Sequence, residues 1–258
     1  MNPKEETKQN QQKEEQKSPE KTEETTKNGK YKITEFNGPI VLPKNYSTDD
    51  EDEFNAIQIL NQDISSWKLQ KDKFNIKIYS KLFKIINDEG KEVDNIVFFS
   101  DAIANCPARV ANDKFNVFNL RSKWDKALEK GKLIKEENLS NNIRITDYYS
   151  YIKMPLFFSD RDSIIRAKTW SDYLGEKDCF LSHMKSIEHP DFPPKEKPVR
   201  AFYENGGVYI RPINEKQCKF YYIAKFDFKI SAPTFMMEGT GSEGQLDSMK
   251  EFIDFCEK

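Results

Sequence analysis

The sequence predicts an α+β fold, and three observations predict it. Apolar residues recur every three to four positions near residues 57–67 and again near 246–256, the mark of helices with one apolar face. Between them lie several runs that alternate with a period of two and are bounded by turn residues. The resulting order is a helix, strands, a helical stretch, a run of antiparallel strands and a final helix.

Residues 1–30 carry seven Lys, seven Glu, no aromatic residue and no apolar residue but Met1. Such a segment buries too little to offset the entropy of ordering it. Residues 1–46 are therefore read as a disordered polar tail and linker, and 47–258 as one domain. Ser47 and Thr48 ahead of the acidic run 49–53 predict a helix start, a hydroxyl cap followed by carboxylates at the positive end of the helix dipole. Ile57, Leu60, Ile64 and Trp67 form its apolar face.

Phe74, Ile76 and Ile78 then alternate with polar residues, a turn signal falls at 87–90, and Ile96 to Phe99 form a second strand-like run. Pro107 opens a helical stretch, since its missing N–H would have no partner in a first turn. Val117, Arg121, Trp124 and Leu128 share one face of that stretch, and Gly131 is read as its end. Strands follow over 142–153, 161–170, 179–187, 199–213 (in one or two pieces) and 219–228. The Gly-rich stretch 239–244 introduces a final helix with Leu246, Met249, Phe252, Ile253 and Cys256 on one side.

Composition removes several classes. A net charge of −2 gives no global attraction for nucleic acid. No stretch approaches the roughly 20 apolar residues of a membrane-spanning helix. Four scattered Cys without a CxxC spacing and two His (His183, His189) encode neither a zinc site nor a disulfide framework. The expectation is a cytoplasmic protein without a metal or cofactor. The 33 aromatic residues fit either a solid core or the walls of a hollow, and composition alone favours the solid core.

Five landmarks then occur in sequence. Trp67 precedes a strand ending Lys77-Ile78-Tyr79-Ser80-Lys81; Arg121-Ser122-Lys123-Trp124-Asp125 comes next; Pro155 precedes Arg161-Asp162; His189-Pro190 precedes Pro193-Pro194; and Pro198-Val199-Arg200-Ala201 closes the set. In order and spacing they resemble the START (steroidogenic acute regulatory protein related lipid transfer) domain from about Glu53 to Lys258, and among its members the phosphatidylcholine transfer type. The resemblance implies a helix-grip fold, a curved antiparallel sheet wrapped around a long C-terminal helix with one lipid in an internal cavity. It also implies non-catalytic binding and transfer of that lipid, most readily a phospholipid, by a monomer that touches membranes transiently.

Arg121 is where the residues and the resemblance meet. A guanidinium on an apolar helix face needs a partner, and Asp125 four residues on is the simplest one. The resemblance implies a second partner, a lipid phosphate, which Arg grips in bidentate fashion. Carried over by spacing, the positions that cage choline in such relatives fall on Ser150, Ser163 and Glu204, so no aromatic cage is expected. Hydroxyls with a carboxylate suit a primary amine, a hydroxylated head group or a sterol hydroxyl. The cavity-facing Arg of sterol-binding relatives corresponds to Ala167, and Arg166 should face the other side of the sheet. Tyr148, Arg161, Arg200 and Tyr222 complete the candidate ligand contacts. Met154, Leu156, Phe157 and Phe158 form an apolar loop expected to gate the cavity and dip into a bilayer as the C-terminal helix, with Met249 and Phe252, swings.

Overall fold

The computed structural model describes residues 31–33, 38–44, 46–87, 89–154, 158–230 and 232–258. The expected tail at 1–30 and the loop residues Pro155, Leu156 and Phe157 lie outside them.

Strands β1 (Tyr31–Lys32) and β2 (Ser47–Thr48) pair antiparallel ahead of helix α1 (Glu51–Leu60). The helix starts later than the hydroxyls suggested because Asp50 caps it, its Oδ1 accepting from the backbone N–H of Asp52 (3.1 Å) and Glu53 (3.4 Å). It also ends at Leu60, and Ile64 belongs to a separate 3-10 turn, although Trp67 still buries on the same side. Ile33 and Ile40 are fully buried there, so packing begins before residue 47.

Ten strands form the main sheet: β3 (Lys68–Lys73), β4 (Ile76–Ile86), β5 (Glu92–Ala104), β6 (Leu128–Ser140), β7 (Ile143–Ile152), β8 (Arg161–Ser171), β9 (Phe180–Ser186), β10 (Val199–Arg200), β11 (Phe202–Asn214) and β12 (Gln217–Asp227). Nine run in the order β3-β4-β5-β12-β11-β9-β8-β7-β6, each antiparallel to its neighbour, and β10 adds a short parallel pairing to the start of β8. Helices α2 (Ala108–Asn116) and α3 (Phe118–Arg121) bridge β5 to β6, and α4 (Thr234–Cys256) closes the chain.

The predicted helical face running to Leu128 and Gly131 is corrected here. Helix ends at Arg121, and Leu128 onward is the edge strand β6. Gly131 lies inside that strand because the Phe118 ring occupies the space of a side chain: an added Cβ would sit 2.2 Å from it.

Strand alternation sorts the sheet into two faces. The outer face packs Val97, Phe99, Leu181, Tyr209, Tyr221 and Ile223 against α1 and the segment before it. The inner face packs Ile78, Phe180, Met184, Val208, Ile210 and Phe220 against α2, α3 and α4. Phe252 of α4 anchors that inner layer, its ring centroid 4.7 Å from Phe220, 5.1 Å from Trp124 and 5.4 Å from Phe115. Three cysteines far apart in sequence, Cys106, Cys218 and Cys256, are buried in the same layer. The sheet therefore grips the C-terminal helix. Among the described residues, no helix is long and apolar enough to cross a membrane.

Candidate functional site

The site lies on the inner face, where the end of α3 meets β7, β11 and β12. Arg121 is the last residue of α3, and the turn after it, closed by backbone bonds from Trp124 and Asp125 to the Arg121 carbonyl, brings Asp125 alongside. Arg121 Nε donates to Asp125 Oδ2 at 3.1 Å and Nη1 donates to the Tyr148 hydroxyl at 3.2 Å. The guanidinium lies 5.3 Å from the Phe115 ring centroid and 5.9 Å from those of Trp124 and Tyr148. Burial opposes its charge, but Tyr148, Asp125 and Tyr222 more than restore it, so its pKa is raised above the ordinary arginine value. Protein surrounds the side chain, yet 23% of its surface is open.

Tyr148 and Tyr222 both point inward, as alternation predicts. Burial pushes both phenols up, so both remain neutral hydroxyls. Tyr222 shares a 3.1 Å contact between hydroxyls with Tyr203, a residue that the sequence reading missed. Gly206 carries its signal. At Gly206 an added Cβ would lie 2.2 Å from the Tyr203 ring, so only glycine leaves room for that ring to lie along its own strand.

Ser150 and Ser163 are direct cross-strand partners on β7 and β8, both buried, with their hydroxyl oxygens 2.7 Å apart. They continue the inner face from Tyr148. Glu204 does not join them. A register shift between Tyr203 and Asn205 inserts it as an extra residue, and the bulge turns Tyr203 inward in its place. The Glu204 carboxylate instead stands 3.9 Å from Lys225, whose ammonium lies 5.2 Å from the Phe83 ring centroid on the outer face.

Arg161 and Arg200 are held by protein acceptors, which takes them out of the assembled site. Arg161 donates to the carbonyls of Ser159, Phe228 and Lys229, tying the loop before β8 to the segment before α4. Arg200 makes a two-pronged bond to Asp162, at 2.7 and 3.0 Å, and a third bond to the Phe192 carbonyl. Arg166 faces outward to Asp147, with bonds of 2.8 and 2.7 Å. His183 is also on that face, with Nδ1 3.1 Å from Asp52 and Nε2 2.9 Å from Asn205 Oδ1.

The apolar gate divides. Met154 is partly buried, its N–H donating to Asp160 at 3.0 Å, while Phe158 is exposed. Met249 and Phe252, expected to meet a membrane, are instead fully buried, because they lie on the side of α4 that the aromatic layer covers. The exposed apolar residues of α4 are Phe235 and Met236, 74% and 51% open. A surface hollow of about 480 Å3 beside Val41, Leu42, Leu174 and Tyr209 lies on the outer side and gathers none of the predicted residues.

Known proteins share this fold. START domain-containing protein 10 of mouse and of human is each 26% identical over 152 residues, which is 59% of this chain and 50% of either relative. The chain thus spans about half the length of the curated relatives it matches. The crystal structure of human STARD10 superposes with a TM-score of 0.64 at 19% identity, covering 80% of this chain and 79% of that one. The human StAR-related lipid transfer protein 5 gives 0.64 at 16% identity, covering 80% and 94%. The START domain pattern itself matches residues 57–258, which takes in the sheet, Arg121 and the gripped helix, and the chain belongs to the START domain family.

Proposed function

We propose that this chain holds a single lipid between the inner face of the sheet and α4, and carries it between membranes without chemical change. A phospholipid is the favoured cargo. The carrying observation is Arg121, a guanidinium surrounded by protein with part of its surface open and only two of its five N–H donors engaged among the described residues. A phosphate monoanion takes the remaining donors. Ser150, Ser163, Tyr148, Tyr203 and Tyr222 supply hydroxyls along the same face, and these discriminate among head groups.

Energetics favour a carrier with a few decisive polar groups. Two acyl chains of about 30 methylenes are worth on the order of 25 kcal/mol against water. An apolar interior nearly cancels that term, so lipid exchanges near equilibrium and the head-group contacts set selectivity. Membrane contact falls to Phe158, Phe235 and Met236, exposed rings and thioether that a bilayer would cover. Neither His183, held by Asp52 and Asn205, nor His189, beside Phe192, enters the site.

Native mass spectrometry after incubation with mixed liposomes tests the reading. The expected result is one phospholipid per chain, reduced at least ten-fold in Arg121→Gln while circular dichroism stays unchanged. A chain that never carries lipid, or an Arg121→Gln chain loaded as fully as the parent, overturns it.

A further inference from the structure

The inner face has a second polar end. Along β7, Arg144 shares the face of Thr146 and Tyr148, and it lies six residues, about 20 Å, from Ser150. Neighbouring strands continue the polar layer there, with Thr169 and Ser182 bonded at 3.0 Å and Asn116 reaching Ser182 at 3.2 Å. A hollow of about 180 Å3 opens beside it, walled by Arg144, Arg109, the buried Asn112, and Asn138, Asn141 and Asn142 around the β6–β7 turn. Phe180 and Ile143 are the apolar residues in that wall.

The charges in the wall are unevenly matched. Arg109 is committed to Asp178 at 2.8 Å, and the one wall carboxylate, Asp113, accepts from Asn112 at 3.2 Å. Arg144 makes no side-chain hydrogen bond or ion pair among the described residues, although it is half-buried. A partly desolvated guanidinium without an acceptor is a cost that a native structure normally relieves. Here the amides around it are donors as well, and the space is too small and too polar for an acyl chain.

We propose that this hollow binds a phosphate-type oxyanion, gripped by Arg144 and by the amides of the β6–β7 turn. It is distinct from the Arg121 site and does not rest on the lipid reading. The volume suits one tetrahedral oxyanion. The site is open to solvent, so the expected binding is weak, in the millimolar range.

The test is a titration of the full chain with inorganic phosphate, followed by amide chemical shifts, against sodium chloride at matched ionic strength. A second arm measures co-sedimentation with phosphatidylcholine vesicles, with and without phosphatidic acid. Saturable shifts around 109–112 and 138–144 that weaken at least ten-fold in Arg144→Gln support a soluble phosphate source. Binding confined to the phosphatidic acid vesicles and lost in Arg144→Gln supports a lipid head group. Asn141→Asp, in the exposed turn, places a negative charge in the wall without touching the core and should weaken either mode. Shifts reproduced by chloride alone, or phosphate binding untouched by both variants, overturn the proposal.

Discussion

The two halves of α4 are held to the sheet by different forces. The C-terminal half turns Leu246, Met249, Phe252, Ile253 and Cys256 into the aromatic layer, and further bonds clamp it from outside. Lys114 Nζ donates to the Phe255 carbonyl at 2.6 Å, Lys126 pairs with Glu251 at 2.5 Å, and Glu257 accepts from Asn105 at 2.7 Å. The N-terminal half buries Ser242 alone. It begins at Pro233 without a side-chain cap and holds three glycines within six residues. Its attachments are polar: Glu238 accepts from Lys68 at 2.7 Å and from Ser80 at 3.0 Å, Glu243 pairs with Lys71, and Gln245 at the junction donates to Ser100 at 2.9 Å. Apolar burial is lost only by unpacking the core, whereas surface ion pairs open at little cost. One helix thus contains an anchored half and a releasable half, and the releasable half carries the exposed Phe235 and Met236.

The largest expected effect comes from breaking the anchor. Phe252→Ala removes a fully buried ring that touches Phe115, Trp124 and Phe220, and it should destabilise the fold by about 3–5 kcal/mol. Urea unfolding measures it. Cys256, one turn further on, reports the same event independently, since its thiol should alkylate far faster in the variant. A loss under about 1 kcal/mol would mean that the C-terminal half is not the anchor.

Glu238→Gln addresses the other half and should do less globally, under about 1 kcal/mol, because Lys68 is well exposed. Its effect should be local, as faster amide hydrogen exchange across 234–244 with 246–256 unchanged. Acid should imitate it. The Lys68 ammonium and the Ser80 hydroxyl hold the Glu238 carboxyl below its ordinary value, and Lys71 does the same for Glu243. A carboxylate depressed in the folded state contributes stability above the ordinary glutamate pKa of about 4.3 and loses it as pH falls through the lowered value. Exchange in 234–244 should therefore rise below about pH 4.3 before the anchored half responds. Simultaneous opening of both halves would remove the distinction.

This division also explains what the sequence disclosed. The anchored half was legible because its apolar spacing is helical and its burial real. The releasable half read as a Gly-rich lead-in, since no single-residue preference reports the polar contacts that hold it helical. The same contrast runs through the sheet. Strands β7, β8, β9 and β12 lie inside the sheet, and their aromatic and β-branched residues between turn signals read as strands. Edge strand β6 is mostly charged or polar, with three register shifts, so it has no period to detect, and its Gly131 reads as a helix end. At the site, the resemblance implies Arg121, Ser150 and Ser163, and alternation puts Tyr148, Ser150, Ser163 and Tyr222 on one face. Glu204 and Tyr203 exchange roles because a bulge adds one residue, a long-range pairing feature that no window along the chain contains.

The smallest and most discriminating effect concerns the glycines of the releasable half. At Gly239 an added Cβ meets nothing within 4 Å, so Gly239→Ala should recover the helix preference that glycine lacks, about 0.5–1 kcal/mol. At Gly241 the Cβ would stand 2.6 Å from the far end of the Phe98 ring, so Gly241→Ala gains the same preference but must push that ring aside. If ease of opening in this half limits lipid exchange, Gly239→Ala should slow transfer between liposomes by roughly two- to five-fold, the range its stabilisation allows at RT of about 0.6 kcal/mol. Gly241→Ala should leave the rate closer to that of the parent or raise it, because displacing Phe98 offsets the gain. Equal slowing by both would show that Phe98 yields freely, and no change in either would show that opening of 234–244 is not the limiting step.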